Sequence, residues 1–227
     1  MSALLIIFAK KPIPGQVKTR LTPHLSPEAA ARLYQAFLMD ILEESARLSQ
    51  FRLALAYSPE SAEDWFRKLA SGGAWLFPQA GADLGERLAR AFDGAFQAGY
   101  GPVLLRGSDT PDLPGNIIQE GGEVLESGQE QVVLGPTPDG GYYLVGLQEP
   151  QPALFQGLTW STSRVLAETL ARCESLSLKV HLLPSWPDID TYADLLHFLA
   201  WPHTKPAPGW RTDQLARNRL VAGKPHD

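Results

Sequence analysis

The stretch FAKKPIPGQVKTRL, residues 8–21, places Lys10, Lys11, Lys18 and Arg20 directly behind the apolar run Leu4-Leu5-Ile6-Ile7, with no acidic residue before Glu28. Cations gathered in a Pro-stiffened turn at a strand end suit an anion. Lys and Arg neutralise polyphosphate without a glycine cradle, and Arg does so with paired hydrogen bonds. The turn is not a Walker-type phosphate loop, which needs Gly immediately before the Lys and again five residues earlier; Val17 and Pro12 stand there. Nor does Gly-x-Gly-x-x-Gly follow Ile7, so the dinucleotide fingerprint is missing. A solvated basic surface turn has the same composition, but a place after the first strand is where α/β proteins hold ligands.

Carboxylates supply the complementary chemistry. In VLLRGSDTPDLPG, residues 103–115, Asp109 stands flush with the end of an apolar strand, where an oxygen ligand can hold Mg²⁺ or Mn²⁺. Asp112, three residues on, suits a cap for the following helix. In WPDIDTYADLLHFL, residues 186–199, Asp188 and Asp190 alternate with Ile189, so in extended chain they face one side. Asp190 or Thr191 can open the helix that follows, and capping is the commoner role of such an Asp-Ile-Asp run.

Two further stretches offer close approach to a ligand. LGPTPDGGYYLVGL, residues 134–147, holds Asp139-Gly140-Gly141-Tyr142 between two strand-like runs. That is a hairpin signal, and paired glycines also let backbone lie against a substrate. In PQAGADLGERLARAF, Gly81 and Gly85 flank Asp83, and Arg87 lies in the first helical turn. A helix N-terminus favours anions, so a cation there suits a ligand role. Trp160-Ser161-Thr162 is expected to open another helix, with Ser161 or Thr162 as its cap. The five histidines show no metal-ligand spacing, and no Ser, His and acid set forms a nucleophilic triad.

The elements that must position these groups alternate. Strands are expected at 4–9, 52–57, 75–78, 103–106, 131–135, 142–147 and 179–183. Helical periodicity spans 27–48, 60–69, 84–97, 116–126, 162–173 and 192–200; in the first of these, Leu33, Phe37 and Ile41 recur every four residues behind the Ser26-Pro27 start signal. Alternating β and α units imply a mainly parallel sheet with helices on both faces, and chemistry just beyond the strands' carboxyl ends. The 227 residues suffice for one α/β domain, expected over 1–201, with 202–227 a Pro-rich basic tail. A net charge of −5 argues against a nucleic-acid partner. A single cysteine, Cys173, excludes an internal disulfide and fits helix packing. The N-terminal apolar run is too short for a membrane span and lacks the features of a signal peptide, which makes a cytoplasmic protein the expectation.

Taken in order, FAKKPIPGQVKTRL, DLGERL, GSDTPDLP, PTPDGGYYLVGL, WST and DIDTYADL resemble the bacterial glycosyltransferase-like DUF2064 family. Some of its members are associated with arsenosugar biosynthesis or radical-SAM gene clusters. The likeness runs from about residue 4 to 196. It implies a GT-A-like α/β fold of the nucleotide-diphospho-sugar transferase superfamily, with a divalent metal, Mg²⁺ or Mn²⁺. By the resemblance, Asp109 and Asp190 are the metal ligands, with Asp188 in reserve. Lys18 and Arg20 then take nucleotide phosphates, joined by Lys10, Lys11 and Arg87, while Asp139, Gly140, Gly141 and Tyr142 face substrate. The implied partners are a nucleotide sugar or nucleoside triphosphate and a small acceptor, with no membrane partner and a homo-oligomer open. Three activities stay open: glycosyl transfer, nucleotidyl transfer with release of pyrophosphate, and nucleotide binding without turnover.

Overall fold

The computed structural model describes residues 2–70, 73–200 and 207–222. Seven strands form one sheet: β1 (Ala3–Lys10), β2 (Phe51–Ser58), β3 (Trp75–Pro78), β4 (Val103–Arg106), β5 (Val132–Pro136), β6 (Tyr142–Leu147) and β7 (Val180–Leu182). Their order is β3-β2-β1-β4-β6-β5-β7. All neighbours are parallel except β6, which runs antiparallel to both β4 and β5. The reason is local: the five-residue turn between β5 and β6 can only reverse the chain, whereas the other links are long enough for crossover helices. The expected mainly parallel α/β sheet is therefore found, with every strand within two residues of its expected ends.

The central strand explains its own sequence. Leu4 and Ile6 pack on one side of β1 with Leu88 and Phe92 of α3 (Leu84–Gln97) and Cys173 of α5 (Val165–Ser175). Ile7 points to the other side, into a cluster with Leu33, Phe37 and Ile41 of α1 (Pro27–Ala46); Leu5 joins Ile117 and Ile118 of α4 (Gly115–Ser127). With helices on both faces no position on β1 may be polar, so the strand reads as an unbroken apolar run. Phe66 of α2 (Glu63–Leu69) and Leu195 and Phe198 of α6 (Tyr192–Leu199) extend the α1 side.

Helix starts decide where the loops lie. Ser26 caps α1 by accepting from Ala29 N at 3.2 Å, and Thr191 and Asp194 form a reciprocal capping box on α6. Two expected caps are corrected. Asp112 does not cap α4; its Oδ1 accepts from Trp186 Nε1 at 3.1 Å, and the Gly115 amide is met by Glu44 of α1 at 3.0 Å. Neither Ser161 nor Thr162 caps α5, which starts at Val165 without a side-chain cap. Its Leu166 amide donates instead to Gly140 O at 2.9 Å, so the β5–β6 turn performs the capping.

Within the expected Pro-rich basic tail, 202–227, residues 210–222 form a further helix, α7 (Trp210–Ala222), packed on α1. Asp40, 3% exposed in the middle of α1, accepts from Thr212 N at 2.9 Å and Thr212 Oγ1 at 2.8 Å, and Ala216 enters the core. Residue 201, and of the expected tail 202–206 and 223–227, lie outside the described residues. Among the described residues no helix is long and apolar enough to cross a membrane.

Candidate active site

A cavity of about 610 Å³ opens at the carboxyl ends of β1 and β4 and the start of the antiparallel β6. Three segments remote in sequence converge on it. The loop after β1 turns back at Lys18, whose φ of 48° and ψ of 41° lie in the left-handed region, and buries the lysine side chain to 4% exposure. Its Nζ donates to Asp109 Oδ1 at 2.6 Å, Asp190 Oδ1 at 2.9 Å and Ile189 O at 2.7 Å. The backbone seals the same junction, because Ile189 N donates to Asp109 O at 2.9 Å. An ammonium has three protons to give, and here all three have acceptors. Burial opposes the Lys18 charge, but the two carboxylates override it and hold the amine protonated well beyond the ordinary lysine range.

Asp188 lies deeper on the same strand-like segment and lines the cavity. Burial, followed by repulsion from Asp109 and Asp190, pushes its carboxyl up to about 8; Lys18 opposes the rise and Asp139 adds to it. Asp188 and Asp190 therefore do share one side, as alternation in extended chain requires. Arg20 stands at the mouth, 73% exposed, 3.9 Å from Asp190 Oδ2. Lys10 and Arg87 also line the cavity, whereas Lys11 lies outside its wall. The α3 terminus presents no open amide cradle at Glu86, since Asp83 Oδ1 accepts from Glu86 N at 2.8 Å. Arg87 donates its Nε to Gly81 O at 3.1 Å, which turns the side chain along the cavity edge.

Of the four residues at the β5–β6 turn, Tyr142 reaches the cavity wall. Asp139 Oδ1 instead accepts from Thr137 Oγ1 at 2.5 Å and Gly141 N at 3.2 Å, which builds the turn. Gly140, at φ 90°, lies so close to Ser163 that a Cβ would collide with that residue's carbonyl. These glycines serve the hairpin and its contact with α5.

Several groups at the site escaped the sequence reading. Arg106, 1% exposed at the end of β4, donates through Nη2 to Thr110 O at 2.6 Å and Thr110 Oγ1 at 3.1 Å, holding the turn that presents Asp109. An arginine closing an otherwise apolar strand was the available signal. Tyr34 of α1 accepts from Lys10 N at 3.1 Å and shares a 2.6 Å hydrogen bond with Ser108 Oγ; burial and the Asp109 charge push its phenol up to about 12. Gln79, just after β3, gives Nε2 to Ala56 O at 2.8 Å and Ala9 O at 3.2 Å, and lines the cavity. Nothing in the local sequence marked either residue.

The donor set suits a hard cation: Asp109 and Asp190 offer carboxylate oxygens about 40% exposed to the cavity. Among the described residues no three His, Cys, Asp or Glu side chains converge closely enough to hold an ion by themselves. A divalent ion here needs oxygens from substrate or water, which is how Mg²⁺ is ordinarily held beside phosphates.

The sheet order, the single antiparallel strand and the cavity at the β1 and β4 ends define a nucleotide-diphospho-sugar transferase-like fold. A structure from Desulfovibrio desulfuricans, described as a candidate nucleotide-diphospho-sugar transferase, is 34% identical over 97% of this chain and 96% of its own, with a TM-score of 0.89. A cytidylyltransferase from Leptospira borgpetersenii shares the fold at 13% identity, covering 100% of this chain and 99% of its own with a TM-score of 0.55. So does a 4-diphosphocytidyl-2C-methyl-D-erythritol synthase from Anaerococcus prevotii, at 11% identity, 87% and 97% coverage and a TM-score of 0.57. No curated protein matches the sequence. Residues 41–162 match the family described as "Uncharacterized protein conserved in bacteria (DUF2064)". The chain belongs to the DUF2064 family.

Proposed function

We propose that this protein is a metal-dependent transferase that moves a sugar from a nucleotide-diphosphate sugar to a small acceptor. The observation that carries the reading is the buried Lys18 held by the half-exposed Asp109 and Asp190, set at the strand ends of a cavity large enough for a nucleotide. The description of the Desulfovibrio relative, 34% identical over nearly the whole chain, supports the same reading. Lys18, Arg20 and Lys10 supply positive charge for a diphosphate, with Arg87 at the cavity edge. Asp109 and Asp190, with Asp188 behind them, are the residues that would hold Mg²⁺ or Mn²⁺. When bound, such an ion would neutralise charge that develops on a departing diphosphate. Tyr142 lines the cavity and is assigned to contact with donor sugar or acceptor, with the Asp139-Gly140-Gly141 turn leading into it.

Nucleotidyl transfer is the second reading, and one feature favours it. The β4 turn reads Asp109-Thr110-Pro111, so it offers one carboxylate where the Asp-x-Asp of many glycosyltransferases would give two. That departure from the glycosyltransferase pattern is what favours attack at an α-phosphorus. The two reactions part at their products, a nucleoside diphosphate in one and pyrophosphate in the other.

Thermal-shift screening of nucleoside triphosphates and nucleotide-diphosphate sugars, with and without Mg²⁺ or Mn²⁺, tests the proposal, since ligands of the native state raise the melting temperature. Selective, metal-dependent stabilisation by one nucleotide sugar, lost in Asp109→Asn, is the expected result. A preference for a bare triphosphate would move the assignment to nucleotidyl transfer. Metal-dependent affinity unchanged in Asp109→Asn would refute the ligand assignment.

A further inference from the structure

Lys18 Nζ sits between the same two carboxylate oxygens that the proposed metal would use. Its contacts of 2.6 Å to Asp109 Oδ1 and 2.9 Å to Asp190 Oδ1 leave no place for a second cation bridging that pair. The third contact, to Ile189 O at 2.7 Å, uses the remaining proton and anchors the amine. The backbone reinforces the arrangement, for Lys18 holds a left-handed conformation that non-glycine residues adopt only when their surroundings fix it. Its side chain is almost wholly buried, while Arg20, two residues on, remains largely exposed.

From this geometry we infer that Lys18 is an internal counter-ion that excludes the divalent metal from Asp109 and Asp190 until a phosphate draws the amine away. The inference rests on the reading of these carboxylates as metal ligands. In the free protein the ammonium neutralises the pair; two cations at the same bridging position repel strongly, so a bare ion gains little. An incoming diphosphate offers the amine new anionic acceptors. Lys18 turns to them and both carboxylate oxygens are released, so that Asp109 and Asp190 would then be free to hold the ion beside the phosphates. Binding is consequently ordered, with metal and nucleotide mutually dependent. The bridge also keeps the acidic pair from standing uncompensated in the empty site.

The test is Mn²⁺ binding without nucleotide, followed by electron paramagnetic resonance of the free ion. Circular dichroism and melting temperature are used to confirm that each variant is folded. Lys18→Met is expected to bind Mn²⁺ at least about tenfold more tightly than wild type, at one site, because the competing charge is gone. Lys18→Arg keeps the charge and is expected to exclude the ion as wild type does, which covers the case in which the methionine variant does not fold. In the double variant Lys18→Met with Asp109→Asn, the gained site is expected to vanish. Equal affinity in wild type and Lys18→Met, at a site lost in Asp109→Asn, would overturn the exclusion and leave the metal reading standing. Likewise, an Arg variant that binds Mn²⁺ more tightly than wild type would overturn it. No Asp109-dependent Mn²⁺ site in any variant, even with a nucleotide sugar added, would overturn both.

Discussion

Replacing Arg106 with methionine separates the cost of an unpaired buried group from the gain of removing a buried charge. The guanidinium is 1% exposed and, although burial pulls it down to about 10, it stays charged at neutral pH. Methionine fills much of the same volume, so packing loss is small. Two effects then oppose each other. Removing a desolvated cation is favourable, but Thr110, a residue with 0% exposure, loses the 2.6 Å donor to its carbonyl, which keeps only the Leu113 amide at 3.3 Å, and the 3.1 Å donor to its Oγ1. Hydrogen bonds from a charged donor contribute about 1.5–3 kcal/mol each, and a buried acceptor left unmet costs about 1–3 kcal/mol. The field of Asp112 and Glu44 near the guanidinium also loses its counter-charge. When one member of a buried charged network is removed alone, the uncompensated remainder dominates, and the net loss is about 3–5 kcal/mol. Urea unfolding followed by tryptophan fluorescence measures it through the shift in midpoint at constant slope. Arg106→Lys, which keeps the charge without the planar fork, is expected to fall between the two. Because the same bonds hold the 107–110 turn, metal-dependent nucleotide binding is expected to weaken in both variants. A methionine variant within about 1 kcal/mol of wild type would refute the argument that Thr110 depends on this donor.

Two further outcomes follow from the carboxylates of Asp40 and Asp188. Asp40→Ala removes the acceptor of both Thr212 donors and of Arg211 N, so it is expected to destabilise the protein by about 2–4 kcal/mol; proteolysis should then cut first within residues 207–222, and unchanged cleavage there would count against the docking role of Asp40. The folded-state Asp188 carboxyl, at about 8 against an ordinary value of 3.8, binds its proton more tightly than in the unfolded chain. Its contribution to stability therefore falls as pH rises from about 4 to about 8 in metal-free buffer, and Asp188→Asn is expected to flatten that slope. Equal pH slopes for the two proteins would show that Asp188 ionises normally.

Much of the fold was legible because its signals are local or periodic. The apolar run of β1 follows from burial on both faces, and Ser26-Pro27 starts α1 by hydrogen bonds formed within one turn. Where a remote partner supplied the hydrogen bond, the local signal misled. Asp112 and Ser161 looked like caps, yet the amides concerned are met by Glu44, 71 residues away, and by the Gly140 carbonyl. Helix α7 was hidden for the same reason. Its hold on α1 is polar and centred on Asp40, 172 residues earlier, so neither a strong apolar stripe nor a start signal announced it.

The candidate site divides along the same line. The types of its chemical groups, basic residues after the first strand and lone carboxylates after later ones, belong to the sequence, since α/β topology puts strand ends and ligands together. Which of them meet does not. Lys10, Lys11, Lys18 and Arg20 are near neighbours in the chain, but only Lys18 takes the left-handed backbone that carries an ammonium inward to Asp109 and Asp190, leaving Arg20 at the mouth and Lys11 outside. That selection depends on sheet order and on one backbone hydrogen bond, from Ile189 to Asp109, between segments 80 residues apart. Sequence determined that basic residues and carboxylates would stand together at the strand ends. Tertiary structure alone decided that one lysine would be held between the acids, because only folding sets the distances over which charges act.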